Sequence, residues 1–273
     1  MVTQEQRKRQ LAREKFLRQQ QRRTSARRKA RMRNTVIASV LGVVVIGSVA
    51  LYTTGVLKND DDKKADASSQ TTPSAAPSAA KDPCEKPAAG SVKTQSWKKE
   101  PALTVDKSAK YTMTLSTTCG DIGIALKAKA APHTVNSFDF LAGKGFFDHT
   151  KCHRLTTNQI YVLQCGDPTG SGSGGPGYTI PDENLKDADL KANVYPAGTV
   201  AMANTGQAHT GGSQFFLVYQ DSQLPPSYTP FGTLSADGMK VLKKIAAAGE
   251  NTGAGDGAPN ATVVINKATV TKS

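Results

Sequence analysis

The chain has 273 residues and a formal net charge of +13, enough for one large domain or two small ones. Residues 1–34 hold 13 Lys and Arg residues against Glu5 and Glu14, so this basic arm alone carries +11. The rest of the chain is nearly neutral. This balance argues against a nucleic-acid-binding function for the whole protein, and we expect no specific nucleic-acid partner.

A run of 23 uncharged residues, 35–57, follows the arm and is dominated by Val, Ile, Leu, Ala and Gly. A helix of that length spans roughly 34 Å, enough to cross a hydrocarbon core of about 30 Å. We therefore predict a transmembrane helix at 35–57. A cleaved signal peptide is the alternative, but the run exceeds the usual h-region of about 7–15 residues.

Charges on the two sides of this helix predict its orientation. Five basic residues precede it closely and three acidic residues follow it: Arg27, Arg28, Lys29, Arg31 and Arg33, then Asp60, Asp61 and Asp62. The positive-inside rule places the N-terminus in the cytoplasm and everything after Lys58 outside. The arm, 1–34, either lies as a helix on anionic lipid or is a disordered tail that sets the topology.

Composition predicts a flexible linker at 58–102 and a folded domain at 103–273. The stretch from Ala65 to Ala80 is almost entirely Ala, Ser, Thr, Gln and Pro, which cannot form a hydrophobic core. Such a linker would hold the domain away from the membrane as an extended tether.

All four cysteines fall on the predicted outer side: Cys84, Cys119, Cys152 and Cys165. An even number in an oxidising compartment favours disulfides, with three possible pairings. A zinc site that includes His153 is the alternative, but the spacing fits no usual zinc pattern. We expect neither a metal nor a cofactor.

The domain begins with a predicted β-hairpin. Tyr111, Met113 and Leu115 alternate with polar residues, and the same period of two returns after a Gly-Asp turn at Ile122, Ile124 and Leu126. This alternation is typical of half-buried strands.

A helix is predicted from Pro132, with an apolar stripe that includes Val135 and Phe138 and an end at Gly143. Short strands follow near 152–155, 161–164, 199–202, 215–219 and 231–234. A second helix carries Met239, Leu242 and Ile245, and closing strands are predicted around 263–270. The pattern predicts a mainly β fold, a closed antiparallel barrel capped by two helices, with a sandwich as the alternative.

Several catalytic motifs are absent from the sequence: the G-x-S-x-G elbow, H-E-x-x-H and the Walker loop. The run 166–177 holds six glycines but lacks the Lys-Ser/Thr of a phosphate-binding loop. We interpret it as an irregular loop with positive φ angles.

Four segments together resemble the cyclophilin-type peptidyl-prolyl cis-trans isomerases. Residues 152–155 read C-H-R-L and 162–167 read V-L-Q-C-G-D, similar to the family's F-H-R and Q-G-G-D. Residues 202–206 read M-A-N-T-G and 212–216 read G-S-Q-F-F, similar to M-A-N-A-G and G-S-Q-F-F. Phe231-Gly232 resembles the later V-F-G, and the likeness runs from about residue 104 to 271. The preceding tether and helix resemble those of secreted or membrane-anchored actinobacterial members.

The resemblance implies a closed eight-stranded barrel with a helix at each end and a proline-binding groove on its outer face. It assigns the catalytic roles to Arg154, Gln164 and Phe216. It assigns the substrate-binding roles to His153, Tyr161, Val162, Ala203, Asn204, Thr205, Gln214, Leu224 and Tyr228. Proline-containing polypeptides would be the partners, and no metal or cofactor is implied.

The sequence departs from the family pattern at the groove. Arg154 and Gln164 are ten residues apart, two more than is common, so the loop 156–160 is longer. One extra residue also lies between Asn204 and Gln214. A rim Trp of the family is Gln223 here, and a pocket His is Tyr228.

The resemblance and the predicted topology together imply an extracytoplasmic isomerase of X–Pro bonds that acts as a folding helper. A cyclophilin-like module that binds proline-containing partners without turnover is the alternative. Since Cys152 and Cys165 flank the segment from Arg154 to Gln164, we favour the pairs Cys152–Cys165 and Cys84–Cys119.

Overall fold

The computed structural model describes residues 82–273. The basic arm, the transmembrane helix predicted at 35–57 and the linker residues 58–81 lie outside the described residues. Between residues 82 and 273, no helix has both the length and the apolar character of a membrane span.

Two helices and twelve strands make up the described part of the chain. The helices are α1 (Pro132–Gly143) and α2 (Ala236–Ala247). The first six strands are β1 (Tyr111–Thr117), β2 (Gly120–Leu126), β3 (Thr150–Lys151), β4 (Arg154–Thr156), β5 (Val162–Cys165) and β6 (Val194–Tyr195). The others are β7 (Thr199–Met202), β8 (Phe215–Val218), β9 (Ser222–Gln223), β10 (Pro230–Leu234), β11 (Asp256–Gly257) and β12 (Val264–Lys272).

Ten of these strands form one curled antiparallel sheet in the order β11-β4-β5-β8-β7-β10-β2-β1-β12-β3, while β6 pairs with β9. Strands β3 and β4 lie near opposite ends of this order, and the two residues between them in the chain, Cys152 and His153, connect them. The backbone N–H of Cys152 donates to Val263 O (3.0 Å), and that of His153 donates to Gln164 O (3.1 Å).

The mainly β fold with two helices is confirmed, but the closed barrel of eight strands is wrong. The structure has a curled sheet of ten, and β3 and β11 are the two that the sequence did not suggest. Each is two residues long, too short for an alternating pattern to reveal.

The main core lies between the sheet and the helices. On β1, Tyr111, Met113 and Leu115 are buried, as their spacing of two predicts. Helix α1 packs against β12 and places the Phe138 ring among three other buried aromatic rings, at centroid distances of 4.5–5.4 Å: Phe147, Phe215 and Phe231. Helix α2 packs against β2 at another part of the sheet.

Helix α1 begins at Pro132, as the sequence predicts, but only α2 has a side-chain cap from its own N-cap residue. Ser235 Oγ accepts from the backbone N–H of Gly238 at 3.0 Å. For α1 the acceptor comes from a distant loop, since the Glu183 carboxylate accepts from the backbone N–H groups of His133 (3.0 Å) and Thr134 (2.9 Å). A carboxylate here satisfies free N–H groups and complements the helix dipole.

Residues 82–102, which the composition assigned to the flexible linker, pack on the domain surface; we call them the N-terminal strap. The backbone N–H of Glu85 donates to Thr118 O, and that of Trp97 donates to Pro176 O, both at 2.8 Å. The Trp97 ring contacts Phe140 at a centroid distance of 5.1 Å. The folded domain therefore includes residues 82–102, which the linker prediction had excluded, and the Ala/Ser/Pro-rich composition itself ends near residue 80.

The two predicted disulfides are present. Cys84–Cys119 ties the strap to the turn between β1 and β2. Cys152–Cys165 ties the chain just before β4 to the last residue of β5.

Replacing Cys152 and Cys165 together by Ser should lower the free energy of unfolding by roughly 3 kcal/mol, because a loop with a sequence separation of 13 is no longer closed in the unfolded chain. Urea denaturation of the oxidised proteins measures this loss. The matched control is the Cys84→Ser, Cys119→Ser protein, whose longer loop gives a somewhat larger loss in the same model. An unchanged midpoint for the first variant would contradict a stabilising role for that bond.

Candidate active site

Three predicted catalytic residues lie in one row across neighbouring strands. Arg154 on β4 is paired with Gln164 on β5, and Gln164 is paired with Phe216 on β8. Directly paired residues point to the same face of a sheet, so these three side chains share the outer face. Their neighbours Leu155 and Phe215 point the other way and are fully buried in the main core.

A cavity of about 260 Å³, which we call the inner pocket, opens along this row. It is lined by Arg154, Ile160, Val162, Gln164, Ala203, Asn204, Phe216, Leu224 and Tyr228. One side is apolar and the other carries amide and guanidinium groups. The pocket therefore suits a small apolar group that is attached to a polar backbone.

The apolar wall belongs to a second hydrophobic cluster, on the opposite side of the sheet from the main core. Phe216 packs against Tyr228 at a ring-centroid distance of 5.4 Å and against Tyr195 at 6.3 Å. Tyr195 is fully buried, and its hydroxyl donates to Tyr228 O at 2.8 Å. Burial raises the pKa of Tyr195 to about 12. These contacts fix the wall without a ligand.

A string of side-chain hydrogen bonds orients the polar wall. Arg154 Nη1 donates to Gln164 Oε1 (3.1 Å), and Gln164 Nε2 donates to Gln214 Oε1 (2.9 Å). Gln214 Nε2 then donates to Gly174 O at 2.9 Å. Each amide is held by the next group, so the position of the guanidinium depends on the whole string.

The other side of the guanidinium contacts an acid that the sequence did not suggest. Arg154 Nε and Nη2 donate to Asp256 Oδ1 and Oδ2 at 2.7 and 2.8 Å. The hydrogen bonds to Asp256 raise the pKa of Arg154, and the same bonds lower the pKa of Asp256. Arg154 therefore stays charged and presents its donors in a fixed plane.

A larger cavity of about 980 Å³, the outer groove, adjoins the inner pocket and shares Gln164, Ala203 and Asn204 with it. Its other walls include Thr205, Gln214, the glycine-rich loop and three residues of the N-terminal strap, Lys98, Lys99 and Glu100.

The buried Asp167 side chain organises the glycine-rich loop. Its carboxylate accepts from the backbone N–H groups of Thr169 (2.7 Å) and Gly172 (2.6 Å). Although burial opposes ionisation, these hydrogen bonds leave the pKa of Asp167 below its usual value. The predicted positive φ angles are confirmed in this loop at Gly166, Gly170, Gly172 and Gly177.

Two residues that the motif comparison assigned to substrate binding line neither cavity. The ring nitrogens of His153 are buried and have no hydrogen-bond partner among residues 82–273. Burial lowers the pKa of His153, and the Arg154 charge lowers it further, against the opposing effect of Asp167. The Tyr161 ring packs edge-on against Tyr219. The other predicted residues line the inner pocket, the outer groove or both.

Sequence reasoning also missed Ile160 and Asp256. Ile160 ends the longer loop, which turns at Gln159 with a φ of 64°, and it becomes part of the pocket wall. Asp256 follows a Gly-rich turn and is 102 residues from Arg154, so no local pattern connects the two. In the described part of the chain, no group of His, Cys, Asp and Glu side chains is arranged to hold a metal.

Comparison with known proteins agrees with this geometry. Residues 112–270 match the family described as cyclophilin type peptidyl-prolyl cis-trans isomerase/CLD. A probable peptidyl-prolyl cis-trans isomerase B of Mycobacterium leprae is 50% identical over 201 residues, which cover 71% of this chain and 63% of that protein. Its counterpart from Mycobacterium tuberculosis is 51% identical over 165 residues, 58% of this chain and 53% of that protein.

Among solved structures, a cyclophilin type peptidyl-prolyl cis-trans isomerase of Cryptosporidium parvum is 26% identical, with a TM-score of 0.50. The match covers 60% of this chain and 99% of that one. The family match takes in more than half of the chain and includes the whole row from Arg154 to Phe216. This chain therefore belongs to the cyclophilin-type peptidyl-prolyl cis-trans isomerase family.

Proposed function

We propose that this protein accelerates cis-trans isomerisation of X–Pro bonds in polypeptides. The observation that carries the proposal is the charged Arg154 fork beside an apolar pocket with Phe216 in its wall. The names of the mycobacterial relatives point to the same reaction.

Rotation about an X–Pro bond is slow because amide resonance imposes a barrier of about 18–20 kcal/mol. Uncatalysed rotation takes tens to hundreds of seconds. In the twisted state the nitrogen lone pair leaves resonance and can accept a hydrogen bond. Arg154 would donate to that nitrogen, and the contact speeds rotation only if it is stronger in the twisted state than in either planar one.

The apolar wall would hold the proline ring while the rest of the peptide turns. Phe216, Val162 and Leu224 supply this wall, and burial of an apolar ring favours binding by roughly 25 cal/mol per Å². Asn204 lies where the inner pocket meets the outer groove, so its backbone is available to the substrate chain. Gln164 holds in place the Arg154 guanidinium, which would stabilise the twisted state.

A non-catalytic module that binds proline-containing partners is the second candidate. Two departures from the family pattern favour it. Ile160, from the longer loop, takes part in the pocket wall, and the exposed Gln223 stands where the family has a rim Trp. Ile160 changes the pocket wall and Gln223 lacks the large apolar face of a Trp, while Arg154, Gln164 and Phe216 remain.

We further propose that the enzyme works outside the cytoplasm, anchored by residues 35–57, and assists the folding of exported proteins. Two disulfides in the described domain support an oxidising compartment. The charge asymmetry around residues 35–57 supports the orientation. Contact of the basic arm with anionic lipid is part of the same proposal.

Arg154→Ala should lower kcat/KM by about two orders of magnitude, on the order of 2.7–4 kcal/mol, because one electrostatic donor to the twisted state is lost. A protease-coupled assay on a short proline peptide measures the effect. The melting temperature should change little, since the Arg154–Asp256 pair is partly exposed. Arg154→Lys should recover part of the rate, because it keeps the charge but not the fork.

Phe216→Ala is the control for the binding-module alternative. It should weaken peptide binding by enlarging the pocket, whichever candidate is right. The binding module would be supported, and the enzyme rejected, if Phe216→Ala weakens peptide binding while neither the wild type nor Arg154→Ala shows turnover.

Topology is tested by a reporter fused after Ser273, which should be active only outside the cytoplasm. In spheroplasts, added protease should reach the domain. A domain that is cleaved only after lysis would contradict the proposed orientation.

A further inference from the structure

The Arg154 guanidinium is held from two sides by side chains on two other strands. It has five N–H donors. Two donate to Asp256 on β11 and one donates to Gln164 on β5. The remaining two, one on each terminal nitrogen, have no partner among residues 82–273, and Arg154 lines the inner pocket.

The strand pairing places Asp256 for this contact. Asp256 is paired with Thr156 on β4, two residues beyond Arg154 and on the same face of the sheet. A diagonal neighbour at this distance lies within reach of a long side chain. The carboxylate meets the Nε edge of the guanidinium in a two-point contact, which fixes both direction and plane.

The turn that carries Asp256 is itself well connected. The Glu250 carboxylate accepts from the backbone N–H groups of Thr252 (2.5 Å) and Gly255 (2.8 Å). The Thr157 N–H donates to Gly255 O at 2.9 Å, so the turn is also bonded to the chain just after β4. The backbone of Asp256 is therefore held in place by the hydrogen bonds of this turn.

The pair contributes little to folding, because 37% of the Arg154 side chain and 55% of the Asp256 side chain are exposed. Exposed ion pairs are weak contributors to stability. Without its partner, however, a long Arg side chain samples many rotamers, and ordering it again opposes the reaction. The consequence of this pair is thus expected in turnover rather than in stability.

We infer that Asp256 is a positioning residue for the isomerase reaction: it holds the guanidinium plane so that the two remaining donors of Arg154 face the substrate. Asp256 does not line the inner pocket or the outer groove, so it acts through Arg154. This inference rests on the proposed isomerase function. If Asp256 instead mainly neutralised the charge of Arg154, it would slow the reaction, and removing Asp256 would raise the rate.

The test compares Asp256→Asn, Asp256→Ala and Asp256→Glu, with kcat and KM measured separately on a proline peptide. Asp256→Asn and Asp256→Ala should each lower kcat about tenfold, because the Arg154 side chain must then be ordered during the reaction. The KM of both variants should stay within about twofold of the wild-type value. Glu should recover part of the loss, because a carboxylate can still meet the fork. The matched control is Asp237→Asn on α2, which breaks an exposed pair with Lys240 and should leave kcat unchanged.

Two further measurements separate positioning from a general structural effect. Added salt weakens an exposed pair, so rising ionic strength should lower kcat of the wild type more than that of Asp256→Asn. In an Arg154→Ala background, Asp256→Asn should have no further effect on kcat.

The outcomes distinguish this inference from the proposed function. A wild type without turnover rejects the isomerase function and, with it, a positioning role. An active wild type with an unchanged or faster Asp256→Asn protein rejects the inference alone. A slower Asp256→Asn protein whose loss persists in the Arg154→Ala background also rejects it, since Asp256 would then act by another route.

Discussion

The hydrogen-bond register between β4, β5 and β8 determines whether a site exists at all. It places Arg154, Gln164 and Phe216 in one row on the outer face. Since side chains alternate along a strand, a slip of one residue would turn these groups into the core and expose leucines instead. The Cys152–Cys165 bond spans the same pair of strands, so a slip between β4 and β5 would have to strain a covalent link.

The same sheet separates two hydrophobic clusters with different tasks. Phe215 joins the main core, while Phe216, the next residue, joins the smaller cluster that forms the pocket wall. Phe216 is only 5% exposed, because the rings of Tyr195 and Tyr228 pack against it. Little rearrangement is needed before a small ring can bind, and the entropy of ordering the wall is lost on folding rather than on binding.

Sequence patterns predicted the elements whose signals are long or local. The alternation in β1 and β2, Pro132 at the start of α1 and the apolar face of α2 are examples. Strands of two residues carry no periodic signal, so β3, β6, β9 and β11 were missed, and the closed eight-strand barrel was wrong. The strap was missed because its anchors, Cys84 and Trp97, are isolated in a polar segment. Most residues of the site could be named from motifs, but Asp256 could not, because its contact with Arg154 depends on the folded sheet.

The Cys84–Cys119 bond also determines how the domain responds to mechanical tension. A pull on the chain ahead of Cys84 passes through the sulfur bridge to the turn between β1 and β2. Residues 85–118 lie inside the covalent loop and cannot be extended by that force. The load then passes from Cys119 into β2, which is paired with β1 and β10, and the strap segment that lines the outer groove keeps its place.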